Sequence, residues 1–204
     1  EAGTNAAFLS GNSVCFWAPL VPSTDGRPDR VFHRGGRYGG VSEGEKPNFG
    51  PFDADDGDPH LPNENTLIGA RTVDPFNGSG DWIVTKPGHW LFEGTGLKEG
   101  DRIPGLVGWE FHGDPANLPG LEVVASGTTI NGGGREATWT ATVYPGPQGN
   151  HVFNASTIYW GIAHATPPGF VAPYAHFGRP HGPDERVQRI TRNFLSRCGA
   201  TPRA

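Results

Sequence analysis

Alternation of apolar and polar positions marks strands along much of this 204-residue chain, and a 3.6-residue period marks one helix near its end. Residues 6–17, AAFLSGNSVCFW, read as a buried strand that stops at a Ser-Gly-Asn turn and gives way to a second apolar run. Residues 18–66 are rich in Gly, Pro and acidic side chains and hold no sustained period, which predicts a long insertion of loops, turns and short hairpins. Segments of that length inside compact domains serve as lids or mobile insertions. Thr66–Val73 and Trp82–Thr85 read as short strands, with Asn77-Gly78-Ser79-Gly80 turning between them.

From Leu106 the pattern sharpens. Strand alternation through Leu106–His112 puts Val107, Trp109 and Phe111 on one face and Leu106, Gly108, Glu110 and His112 on the other, so Glu110 and His112 are expected to point the same way. Residues 121–126 form a further strand. Thr138–Tyr144 alternate Thr with Trp139, Ala141 and Val143, which predicts an antiparallel strand with one solvated face. His151–Asn154 read as a short buried strand that runs through Ala155-Ser156-Thr157 towards a helix. The best helix covers Asp184 to Arg197. Val187, Ile190, Phe194, Leu195 and Cys198 follow its apolar stripe, and Arg186, Arg189 and Arg192 face water. No internal repeat appears, and the whole chain, 1–204, reads as a single domain closed by the amphipathic helix 184–198.

Composition narrows the class. Gly (32) and Pro (20) make up about a quarter of the residues, near the range where disorder competes, but six Trp and twelve Phe supply a core. The net charge of −5 argues against a surface that tracks a polyanion. No apolar run is long enough to span a bilayer. Neither nucleic acid nor membrane is therefore an expected partner. Methionine is absent, even at position 1, which points to removal of an upstream segment by proteolytic maturation, nicking or trimming. Cys15 and Cys198, the only cysteines, lack metal or redox spacing and read either as two buried thiols or as one bridge suited to an oxidising compartment, such as that of a secreted protein.

Candidate chemistry is sparse. Asp53-Ala54-Asp55-Asp56-Gly57-Asp58 has clustered carboxylates, but its Gly is fifth rather than sixth, so a solvated acidic turn is the better reading than a calcium loop. Gly35-Gly36-Arg37-Tyr38-Gly39-Gly40 lacks the Lys-Ser/Thr ending of a phosphate loop. The eight His include no H-E-x-x-H, so a metal site would have to be assembled from distant segments. Glu110 and His112 could supply two ligands, or a general base with its orienting partner, and an ordinary half-exposed strand face is the plainer alternative. Asn12, at the end of a buried strand, could donate to a developing oxyanion, although Asn is common at such turns.

Several segments together carry a resemblance. Phe8-Leu9-Ser10-Gly11-Asn12 with Trp17, Gly108-Trp109-Glu110, Gly149–Ile158 with Trp160, and Val187–Asn193 occur in the order seen in the C-terminal domain of the N,N-dimethylformamidase beta (large) subunit-like family. The resemblance implies an α/β fold, α+β in practice: an incomplete sandwich of the class I glutamine-amidotransferase type with β-rich, loop-rich insertions. It also implies metal-dependent hydrolysis of small formamides with iron, or zinc. The His-x-Glu-Tyr segment and tyrosines that build the family's metal site precede the Ser-Gly-Asn strand, so the ligands are expected mostly outside this chain, on a second polypeptide carrying the N-terminal portion. By carry-over, Glu110 and Asn12 are the catalytic candidates, and His112, Asn154, Trp160 and Trp17 line or support the substrate pocket. His112 stands where the family has an acidic residue. Cys15 and Cys198 also depart from the family pattern, and their joint appearance favours a bridge. A different class of function, a non-catalytic module that binds carbohydrate or protein through exposed Trp and Tyr, is kept beside this one.

Overall fold

The computed structural model describes residues 3–11, 13, 16–17, 20–28, 31–32, 46–47, 64–73, 78–130, 133–165, 167–170 and 182–200. In chain order the elements are β1 (Ala6–Phe8), β2 (Phe16–Trp17), β3 (Leu20–Val21), β4 (Val31–Phe32), β5 (Lys46–Pro47), α1 (Glu64–Ile68), β6 (Ala70–Thr72), β7 (Gly78–Ile83), β8 (Arg102–Trp109), β9 (His112–Pro115), β10 (Glu122–Ile130), β11 (Glu136–Pro145), β12 (His151–Asn154), α2 (Ile162–Ala165) and α3 (Glu185–Arg197). A 3₁₀ turn, Trp90–Phe92, lies between β7 and β8. The architecture is mixed α+β and dominated by sheet.

Six strands build the main sheet in the order β1-β12-β11-β10-β7-β8. β1 runs parallel to β12, with Phe8 opposite Asn154, and the other described pairs in this sheet are antiparallel. The sheet curls. Its terminal strand β8 meets the chain leaving β12, where the Thr157 hydroxyl donates to the Leu106 carbonyl at 2.7 Å and accepts from the Gly108 N–H at 3.3 Å. Trp82 of β7 reinforces this closure by donating its indole N–H to the Ala155 carbonyl at 3.0 Å.

β11 shows why such a polar-looking strand is interior. Residues 139–144 are all buried. Trp139, Ala141 and Val143 point into the main core. On the opposite face, Thr140 hydrogen-bonds the Gly113 carbonyl of β9, and the Tyr144 hydroxyl donates to the Leu67 carbonyl at the end of α1. A second layer, the β6–β9 ladder with α1, thus covers the face expected to be solvated.

The core is aromatic. Trp82 stands 5.4 Å from Trp160 and 6.2 Å from Trp139 between ring centroids, and Phe153 lies 5.6 Å from Trp160 and 5.7 Å from Phe194. Pairs at these separations add about 1 kcal/mol beyond area burial. α3 closes this cluster with Val187, Ile190 and Phe194, as its periodicity predicts. Asp184 caps it, its carboxylate accepting from the Arg186 N–H at 2.9 Å. Two details of its stripe differ. Leu195 is exposed, and Arg186 does not simply face water but forks onto Asp184 and donates to the Arg102 carbonyl.

Other expectations need correction. Glu64–Ile68 is helical, so the strand predicted over Thr66–Val73 shortens to Ala70–Thr72. Gly78-Ser79-Gly80 is not a turn but the start of β7. The glycines let Phe111 and Thr129 pack against the strand, contacts that a Cβ at Gly78 would obstruct. Ala155-Ser156-Thr157 does not lead directly into a helix; its hydroxyls stitch β8 and β9 to β12 instead. Short ladders pair β2, just ahead of the predicted insertion, with β5 inside it and β3 with β4 within it, and most of residues 18–66 lie outside the described set, including Asp53–Asp58 and Gly35–Gly40.

Two substitutions test this account. A Cβ at Gly108 would overlap the Tyr159 ring, so Gly108→Ala is expected to lower unfolding free energy by about 3 kcal/mol, as overpacking does. Asp184→Ala, which removes the cap together with the carboxylate that Arg186 forks onto, should cost about 1 to 2 kcal/mol. Urea denaturation would check both, and equal, negligible losses would contradict the packing described.

Candidate functional site

Parallel neighbours that end together bring their exit turns together. Ala155 N–H donates to the Phe8 carbonyl at 2.9 Å, so Ser10-Gly11 leaving β1 and Ala155-Ser156-Thr157 leaving β12 emerge side by side at the strands' carboxyl ends. In sheets with parallel pairs this end commonly holds the ligand.

Glu110 meets both turns. β8 ends at Trp109, whose φ of 21° is strained for an L-residue, and β9 begins at His112 on a different ladder, with His112 opposite Thr72. Glu110 and Phe111 form the crossover between sheets. The simple alternation that placed Glu110 and His112 on one strand face therefore does not hold, because the strand breaks between them. The Glu110 carbonyl accepts the Ile158 N–H at 3.1 Å. Gly11 lies directly on the Glu110 carbonyl and the Phe111 nitrogen, where any Cβ would collide with backbone. A Ser10–Ser13 hydroxyl hydrogen bond of 2.6 Å spans the same turn. Glu110 itself is only 8 % exposed. Asn12, the next residue after Gly11, lies outside the described residues, as does the side chain of Trp17.

His112 is oriented by Asn154 rather than by Glu110. The Asn154 amide is fixed at both ends: Nδ2 donates to the Thr140 carbonyl at 3.3 Å and Oδ1 accepts the Ser156 N–H at 2.9 Å. Oδ1 must then accept from His112 Nδ1, 2.8 Å away, which sets the proton on Nδ1 and leaves a lone pair on Nε2. Nε2 is buried and has no hydrogen-bond partner among the described residues. Burial holds the ring neutral, with its pKa lowered to about 4 against a weaker opposing effect of the Asn154 bond. Ser156 completes the arrangement from a left-handed backbone (φ 60°), its hydroxyl donating to the His112 carbonyl at 2.7 Å and accepting the His112 N–H at 3.2 Å. From sequence, Ala155-Ser156-Thr157 reads as a helix-entry turn, and Ser156 is not among the candidate residues. The dense run of small polar residues in Asn154-Ala155-Ser156-Thr157 was the available signal, since such side chains substitute for ladder partners.

A neutral imidazole with one nitrogen locked and the other lone pair open is half of a metal ligand's environment. The other ligands are not beside it: among the described residues no three His, Cys, Asp or Glu side chains group to hold an ion. These residues do not by themselves fit iron or zinc. Trp160 sits in the core, its indole donating to Thr191 at 3.0 Å, where it supports rather than lines a pocket. Cys198, at the end of α3, has no disulfide partner among the described residues, and Cys15, its partner in the bridge that the resemblance implies, lies outside them. Trp82, Trp139 and Trp160 are fully buried and Tyr144 and Tyr159 nearly so, whereas Trp90 and Trp109 are half-buried. Among the described residues no helix is long and apolar enough to cross a membrane.

The His112 environment has a pH signature. Its folded pKa lies below the ordinary 6.5, so the unfolded chain takes up the proton first, and stability is lost as pH falls from about 6.5 to about 4. The loss amounts to roughly 3 kcal/mol. Chemical denaturation at pH 7 and pH 4.5 should show this fall, and His112→Gln should show less of it. An equal fall in both proteins would remove His112 as the cause.

No curated protein matches the chain. The N,N-dimethylformamidase beta subunit-like C-terminal family matches residues 1–169, a span that takes in both exit turns and Glu110 and stops short of α3. With most of its length covered, the chain belongs to the N,N-dimethylformamidase beta subunit-like C-terminal family.

Proposed function

We propose that this chain is a subunit of an amide hydrolase that acts on small formamides and contributes one wall of a pocket completed by another polypeptide. The observation that carries the reading is the seating of Gly11 on the Glu110 backbone, which brings the Ser10-Gly11 exit of β1 against a residue with a buried acidic side chain at the carboxyl ends of two parallel strands. Glu110 takes the proton from the attacking water as its oxygen bonds to the formyl carbon, and passes it to the nitrogen as the C–N bond breaks, giving formate and an amine. Asn12 donates to the carbonyl oxygen as negative charge gathers there. Asn154 and Ser156 hold the 110–112 crossover in register, and His112, Trp160 and Trp17 support the wall. We assign the ligands for iron or zinc to positions outside the described residues.

The same reading takes the curled sheet as part of a glutamine-amidotransferase-type sandwich. In support, β1 is paired on one side only among the described strands, which leaves its other edge open to a strand from elsewhere. The family's description as beta subunit-like supports a partner subunit.

The test is hydrolysis of N,N-dimethylformamide by the assembled complex, followed as dimethylamine release. Glu110→Gln should lower kcat about 10²- to 10⁴-fold and Asn12→Ala about 10²- to 10³-fold, with the complex intact by size-exclusion chromatography. Undiminished turnover by Glu110→Gln would remove Glu110 from the chemistry.

A further inference from the structure

α3 carries Arg186, Arg189 and Arg192 at three-residue spacing, and with Gly94 and Thr95 opposite them they line a cavity of about 400 Å³ on the molecular surface. Arg186 is already committed, its guanidinium forked onto Asp184 at 2.7 and 3.0 Å. Arg189 and Arg192 are exposed and make no hydrogen bond or ion pair with any described residue. Glu185 is the one carboxylate in the lining, so two uncommitted guanidinium groups stand against one acid.

The walls are fixed. Asn193 Nδ2 donates to the carbonyls of Leu91 and Glu93 at 2.9 and 2.8 Å and ties α3 to the segment that leads into Gly94. Gln188 Nε2 donates to the His164 carbonyl at 2.9 Å and ties it to α2. Gly94 presents no side chain, which leaves room beside the Arg189 guanidinium. Guanidinium forks match the paired oxygens of carboxylate and phosphate. In a chain of net charge −5, a concave surface with paired free arginines sets up a local positive potential against an acidic background.

We propose that this cavity binds a small oxyanion, a compound bearing a phosphate or carboxylate group, held between Arg189 and Arg192. The site is separate from the Glu110 crossover and does not rest on the hydrolase reading. Calorimetric titration of the protein with inorganic phosphate and with citrate, in low-salt buffer at matched ionic strength, is expected to show saturable binding of one or both in the millimolar range or tighter. The stronger of the two assigns the phosphate or carboxylate class. Replacing both residues (R189Q with R192Q) should weaken binding at least tenfold, whereas R197Q, on the same helix outside the cavity, should leave it unchanged. Absence of saturable binding, an equal response to chloride, or full affinity in the double variant would overturn the proposal. Circular dichroism of the variants separates loss of the site from loss of the fold.

Discussion

The paired hydroxyls of Ser156 and Thr157 are what the remainder of this fold leans on. An open sheet of six strands would leave β8 with unpaired backbone groups and no reason to approach β12. Thr157 supplies both an acceptor for Gly108 and a donor for Leu106, and Ser156 does the same for the two sides of His112. A buried peptide group without a partner costs one to a few kcal/mol, on the order of the benefit of each of these contacts. Side chains thereby perform the work of a missing strand, and the sheet curls around an aromatic core instead of remaining flat.

That closure also sets up the candidate site. Because the crossover from β8 to β9 is pinned from the β12 side, Glu110 has one backbone position, and Gly11 can lie against its carbonyl without a Cβ between them. Strain at Trp109 and at Ser156 lies on either side of this contact. Such conformations persist where the surroundings over-determine them, and both belong to the segments that frame the carboxylate.

The sequence made legible what depends on local period. α3 could be located from Val187, Ile190 and Phe194 and from the Asp184 cap, since an amphipathic helix with an N-cap carries its own start and its own buried face. β1, β11 and β12 were legible as strands for the same reason. What failed needed knowledge of a second layer. The threonines of β11 look solvated until β9 and α1 cover them. Glu110 and His112 look co-facial until the chain changes ladders between them, and no residue in Trp109-Glu110-Phe111 announces that break. Gly78 and Gly80 mimic a turn because glycine serves both reversals and close packing, and only Phe111 and Thr129 decide which. The candidate site was partly visible through family likeness in the Ser-Gly-Asn and Gly-Trp-Glu segments, while the hydrogen bond from His112 to Asn154 joins residues 42 apart and left no local trace.

β1 has three residues, and its ladder to β12 uses one side of its backbone. Edges of this kind recruit whatever extended segment is at hand, unless charge, proline or a covering element shields them. Ala6-Ala7-Phe8 offers none of that shielding from its own side chains. Among the described residues its shortness is the device that limits such recruitment, so a strand added along this margin would gain only a few ladder hydrogen bonds and would need side-chain contacts beyond β1 to stay in place.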